Sequence, residues 1–251
     1  MQLDPGKKIY FLSDFHLGVP DHETSIEREK RIVAFLDQIR HETAMLFIVG
    51  DLFDFWFEYR KVVPKGYVRI LGKLAEFTDN GIPVHFFVGN HDMWMSGYFE
   101  KELNIPVFYE PREYNFNGKK FLVGHGDGLG PGDHGYKFIK KIFRNPICQF
   151  LFGLIPPFFG IGLASYSSRT SRAVTGETDA KFLGEDKEWL IQYCHSVLRQ
   201  QSYDYFIFGH RHLPIDHALN AQSRYVNLGD WLQYDTYAVF DGNTVSLNSA
   251  K

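Results

Sequence analysis

Residues 83–92 read Pro83-Val84-His85-Phe86-Phe87-Val88-Gly89-Asn90-His91-Asp92, an apolar run that ends in a polar tip. The run has the length of a buried strand, and the glycine after it starts a turn-forming segment rather than a helix. The same order recurs four times. Lys8 to Ser13 runs into Asp14-Phe15-His16, and Met45 to Val49 into Gly50-Asp51-Leu52-Phe53-Asp54. Phe121 to Val123 runs into Gly124-His125-Gly126-Asp127, and Tyr205 to Phe208 into Gly209-His210-Arg211-His212.

Between these strands the apolar spacing turns helical. Thr24 to Arg40 places Ile26, Ile32, Val33, Phe35, Leu36 and Ile39 on one face, Tyr67 to Phe77 repeats the pattern, and Glu185 to Gln201 predicts a third helix. Strand and helix in alternation predict an α/β fold. Asn117-Gly118 lies between two short strand candidates and predicts a hairpin, as does Asp241-Gly242 near the end of the chain. The alternation stops between Gly128 and Gly184, which divides the chain into a core of residues 1–127 and 185–251 and an insertion, 128–184.

Composition narrows the partners. The 251 residues carry 27 Lys and Arg against 30 Asp and Glu, a net charge of −3, with 44% hydrophobic residues. That balance excludes a disordered chain and a generally basic nucleic-acid binder. The charge is uneven: residues 134–176 hold six basic residues and no acidic one, which leaves −9 on the remainder. Two cysteines, Cys148 and Cys194, are too few for a disulfide framework or a cysteine-based zinc site. The first residues lack the charged, apolar, small-residue order of a signal peptide, so a cytoplasmic location is expected.

Loops beyond the carboxyl ends of strands in an α/β sheet gather in one crevice, so five distant tips can meet at one site. Their Asp, His and Asn side chains offer mixed oxygen and nitrogen ligands without thiolate, a set suited to Mn2+, Fe or Zn2+. Asp14 and His16, like His210 and His212, are two residues apart and share one face of an extended tip. Asp54, Asp92 and Asp127 either orient a ligand histidine or cap the following turn.

The ordered set resembles the calcineurin-like metallophosphoesterase family over nearly the whole chain outside 128–184. The resemblance implies two sheets packed face to face with flanking helices, and two divalent metal ions, with Mn2+ expected. It assigns Asp14, His16, Asp51 and His212 to the first metal and Asp51, Asn90, His125 and His210 to the second. Asp51, Asn90 and His91 then form the catalytic group, with His91 stabilising the transition state or protonating the leaving group.

The insertion contains 24 uncharged residues, Asn145 to Ser168, which Pro156-Pro157 break into two short apolar helices rather than a membrane span. Bordered by Lys137, Lys140, Lys141 and Arg144, such an element suits an anionic membrane surface or lipid tails; packing against the core or dimerisation are the ordinary uses. Asp133 with Tyr136, the basic stretch and the exit through Arg169 and Arg172 resemble the lid of the UDP-2,3-diacylglucosamine pyrophosphatase family of lipid A biosynthesis. That resemblance implies hydrolysis of a lipid-linked nucleotide sugar on the inner face of the inner membrane, with Asp133, Tyr136, Arg169 and Arg172 contacting it. No nucleic acid and no protein partner are expected. At position 91 the chain departs from that family, carrying histidine where its best-known members carry arginine. Another lipid-linked or soluble nucleotide phosphodiester is the alternative substrate, with the apolar insertion then used for packing or dimerisation.

Overall fold

The computed structural model describes residues 1–132, 134–162 and 181–251. In chain order the named elements are β1 (Lys8–Leu12), α1 (His22–Ile39), β2 (Thr43–Val49), α2 (Val68–Asp79), β3 (Val84–Phe87), α3 (Tyr98–Glu102), β4 (Val107–Phe108), β5 (Arg112–Phe116) and β6 (Lys119–Gly124). They continue with α4 (His134–Phe143), α5 (Pro146–Gly153), α6 (Trp189–Leu198), β7 (Tyr205–Phe208), β8 (Pro214–Ala218), β9 (Arg224–Leu228), β10 (Thr236–Phe240) and β11 (Val245–Ser249). The strands form a six-stranded sheet, β11-β10-β1-β2-β3-β4, and a five-stranded sheet, β5-β6-β7-β9-β8.

Alternation along each strand divides the apolar residues among three layers. On β1, Ile9 and Phe11 face the second sheet and pack with Phe47, Val49, Phe121, Ile207 and Val226. Tyr10 and Leu12, on the other face, pack against Ile32, Phe35 and Leu36 of α1. Leu122, Phe206 and Phe208 cover the outer face of the second sheet and meet Leu190, Ile191 and Cys194 of α6. The result is helix, sheet, sheet, helix, the two-sheet α/β architecture expected. Phe11 stacks on Phe47 at 4.8 Å and on Phe121 at 6.1 Å, which ties the two sheets through their middle. Each such pair contributes about 0.5–1.5 kcal/mol beyond burial.

Strands β1, β2 and β3 are parallel to one another, as are β6, β7 and β9. Parallel strands buried on both faces read as continuous apolar runs, which is why their sequences lack alternation. The five motif tips follow β1, β2, β3, β6 and β7.

One sequence reading holds and two change in detail. Asn117 and Gly118 both have positive φ, +49° and +81°, and make the expected two-residue hairpin. Asp241-Gly242 instead belongs to a wider loop in which Asp241 Oδ1 accepts the Asn243 and Thr244 amides, at 2.8 and 2.9 Å. The helix expected from Glu185 begins at Trp189, because the Glu188 side chain is engaged by Leu183 N and Arg211 instead of capping the helix.

α5 ends at Gly153, and residues 157–162 resume as helix from the second proline of the pair. Among the described residues, no helix is long and apolar enough to cross a membrane.

Candidate metal centre

Five motif residues occupy the left-handed backbone region: Asp14 (φ +56°), His16 (+44°), Asp51 (+53°), His210 (+70°) and His212 (+46°). Side chains other than glycine rarely sit there, at about 1–3 kcal/mol each, and such strain collects at functional sites. Neighbouring glycines let the tips close on one another. A Cβ at Gly89 would lie 2.6 Å from Asp51 N and 2.7 Å from Asp51 Cγ, inside van der Waals contact.

Each of the two central carboxylates divides its oxygens. Asp14 Oδ2 accepts Ser13 Oγ at 2.5 Å and His210 N at 3.1 Å, which joins the tip of β1 to the tip of β7. Asp51 Oδ1 accepts His91 N at 2.8 Å, which joins β2 to β3. The second oxygens, Asp14 Oδ1 and Asp51 Oδ2, are buried and accept no hydrogen bond among the described residues. A buried carboxylate oxygen left in this state is costly unless a cation answers it.

The nitrogens around those oxygens fit a cation. His16 Nε2 lies 3.7 Å from Asp14 Oδ1, 3.6 Å from Asp51 Oδ2 and 3.0 Å from His212 Nε2. His212 Nε2 is 3.3 Å from Asp14 Oδ1. The ligand atoms of Asp14, His16, Asp51 and His212 all fall within 4.8 Å of one another. On the other side of Asp51, His125 Nε2 stands 3.4 Å from Asp51 Oδ2 and 3.2 Å from Asn90 Oδ1, and His210 Nδ1 stands 2.9 Å from Asn90 Oδ1. Asp51 Oδ2 is therefore common to both groups.

A hydrogen bond behind the His125 imidazole sets its tautomer, and carboxylates stand behind two others. Val49 O can only accept, so His125 donates its Nδ1–H to it at 2.8 Å and keeps the Nε2 lone pair for the hollow. His16 Nδ1 faces Asp54 Oδ1 at 3.6 Å, and His212 Nδ1 faces Asp230 Oδ2 at 3.4 Å. Carboxylates behind imidazoles are the usual support of metal-ligating histidines.

The electrostatics agree. Burial opposes a charged imidazole, yet Asp14 and Asp54 pull His16 up to about 9, and Asp51 pulls His125 up to about 10. Burial and the charge on His125 push His210 down to about 4. Burial beside Asp51 pushes Asp92 up to about 7. The hollow is strongly negative and attracts positive charge.

All seven ligand candidates, with His91, are thus brought together. His91 Nδ1 lies 3.0 Å from the Asp54 carbonyl oxygen, and the His91 and His16 ring centres are 4.8 Å apart. Of the three accompanying aspartates, Asp54 faces histidines, whereas Asp92 ties the loops by accepting Leu52 N and Gly89 N, each at 2.8 Å. Asp127 accepts the Tyr136 hydroxyl at 2.5 Å and pairs with Lys140 at 2.6 Å. Through Asp127, α4 reaches the site, and the Tyr136 ring centre is 6.3 Å from that of His210. Asp133, Arg169 and Arg172 lie outside the described residues.

Sequence reading passed over Asp230, Ser13 and Arg28. Asp230 follows Gly229 at the end of β9, the same strand-Gly-Asp order as Gly50-Asp51, and that signal would have found it. Arg28 is buried in α1 and donates to the carbonyls of Phe15, His16 and Val19 at 3.1, 2.7 and 2.9 Å, fixing the β1 tip from behind.

Beside Asp54 opens a cavity of about 440 Å³ walled by Phe55, Val63, Tyr67, Phe158 and Ile161. Phe152 of α5 packs on Trp94 at 4.6 Å and Phe57 at 4.9 Å, and Trp94 Nε1 donates to Phe143 O at 2.7 Å, so α4 and α5 dock on the loops after β2 and β3.

Two sheets whose parallel strands deliver Asp, Asn and His to one negative hollow define a metal-dependent phosphoesterase, and the chain belongs to the calcineurin-like phosphoesterase family, whose profile matches residues 7–214. A Porphyromonas gingivalis protein named UDP-2,3-diacylglucosamine hydrolase is 42% identical, the match covering 96% of this chain and 97% of that one. An Ectopseudomonas mendocina protein of the same name is 28% identical, covering 89% and 90%. Among solved structures, the E. coli phosphoesterase Yfce covers 97% of this chain and 93% of its own at a TM-score of 0.49 and 17% identity.

Proposed function

We propose that the chain hydrolyses the pyrophosphate of UDP-2,3-diacylglucosamine, giving UMP and 2,3-diacylglucosamine 1-phosphate, a step of lipid A biosynthesis. The observation that carries the reading is Asp51 Oδ2, buried without a hydrogen bond between His16 Nε2 and His125 Nε2 at 3.6 and 3.4 Å. Asp14, His16, Asp51 and His212 would hold one divalent ion and Asp51, Asn90, His125 and His210 a second; the oxygen and nitrogen set suits Mn2+, Fe or Zn2+ alike, and Mn2+ is taken from the family resemblance. Two ions so held supply charge neutralisation at the phosphoryl oxygens and lower the pKa of the attacking water.

The chain's own groups do the rest. Asp51 positions His91 through the backbone amide, and the Asp54 carbonyl accepts the Nδ1–H, so His91 keeps Nε2 for exchanging a proton with the leaving oxygen. Residues 128–184 act as a lid. The cavity beside Asp54 is apolar enough to take acyl chains. Ile147, Phe150, Leu154, Phe158 and Phe159 are exposed in the insertion that also carries Lys137 and Lys141, which supports contact with the anionic cytoplasmic face of the inner membrane. The identity to the Porphyromonas gingivalis hydrolase supports the substrate. A comparison of kcat/KM for UDP-2,3-diacylglucosamine and for the same UDP-sugar without acyl chains, in Mn2+ and detergent, tests the reading. A large preference for the acylated substrate is expected; equal values would sink the lipid assignment.

A further inference from the structure

Arg211 stands between His210 and His212, both in left-handed backbone. Its guanidinium meets Glu188 with two prongs, Nε to Oε2 and Nη2 to Oε1, each at 2.9 Å, the fork geometry that arginine makes with a carboxylate. Nη2 also donates to Lys181 O at 2.9 Å, and Glu188 Oε1 accepts Leu183 N at 3.1 Å. The Glu188 side chain is 2% exposed and that of Arg211 13%. A pair this deep keeps its geometry, because loss of either half strands the other charge in the interior.

We propose that Arg211 and Glu188 form the joint that registers segment 181–188 to the metal centre. The segment leads the chain from the end of the insertion into α6, and the Arg211 fork fixes its path at Lys181, Leu183 and Glu188. The same fork restrains the backbone on either side of Arg211, where His210 and His212 hold their strained angles. Cation binding and ordering of 181–188 are then linked, each favouring the other. Both are positioning residues, acting through His210 and His212. The proposal rests on the metal-centre reading above.

Arg211→Lys keeps the charge and removes the fork. In calorimetric titration of the metal-stripped full chain with MnCl2, this variant is expected to bind about tenfold more weakly while still unfolding cooperatively. Unchanged affinity in the folded variant overturns the proposal. The wild type offers a test without substitution: amide exchange of peptides covering 181–188, read by mass spectrometry, is expected to slow when Mn2+ is added. Identical exchange with Mn2+ bound overturns the joint alone. No Mn2+ uptake by the wild type overturns the metal-centre reading together with it.

Discussion

The Nε2 atoms of His16 and His212 stand 3.0 Å apart although 196 residues separate them in the chain. Two imidazole lone pairs at that distance repel unless a proton or a cation lies with them, and Asp14 Oδ1 and Asp51 Oδ2 face the same point. Metal analysis of purified protein should find two ions per chain in the wild type, one in His212→Ala and none in Asp51→Ala. Two ions retained by Asp51→Ala would remove that carboxylate from its bridging role.

His91 reaches the centre through its backbone amide and its ring, and only the ring is lost on substitution. His91→Gln is expected to lower kcat by roughly 10²- to 10⁴-fold, the usual range for a positioned proton-transfer group, with two ions still bound. Wild-type turnover in a two-ion variant would take His91 out of the chemistry.

Gly89 has no room for a methyl group, since Asp51 N and Cγ would lie 2.6 and 2.7 Å from it. Gly89→Ala should push Asp51 out of place, destabilise the fold by about 1–3 kcal/mol in urea and weaken Mn2+ binding. An alanine variant with native stability and metal content would contradict the close approach of the β2 and β3 tips.

Phe158 is 83% exposed and Phe159 66%. Replacing both with serine should reduce cosedimentation with phosphatidylglycerol vesicles by at least about tenfold, from the apolar area no longer buried in the lipid. Equal binding would place the membrane contact elsewhere.

Burial holds His85, which bonds Tyr114 at 2.9 Å, below the ordinary imidazole range. Below about pH 6.5 the unfolded chain takes up a proton there that the folded chain resists, so stability falls as the solution is acidified. In urea unfolding at neutral and at mildly acidic pH, His85→Phe should lose less stability between the two than the wild type does. Equal losses would show that His85 does not contribute.

The candidate ligands were legible because each belongs to a polar tip placed directly after an apolar run, and because the order repeats five times. What escaped was less repetitive. β4 is only two residues, and β8 is broken by Asp216 and His217, so neither rises above loop composition. Arg211 escaped because its partner Glu188 is 23 residues away, in a stretch whose helical spacing gives no sign of a buried charge pair. Asp230 lacked a companion histidine, and only the fold sets it against His212.

The tips of β1, β2 and β3 belong to one sheet and those of β6 and β7 to the other. A cation gripped by both sets would therefore rivet the sandwich at one end, where the Phe11, Phe47 and Phe121 stack does not reach. It would close a ring of nearly the whole chain, and the entropy withdrawn from the unfolded state grows with ring size. Chelation would then do more than silence the enzyme: it would let one end of the two sheets part while the aromatic stack held the middle.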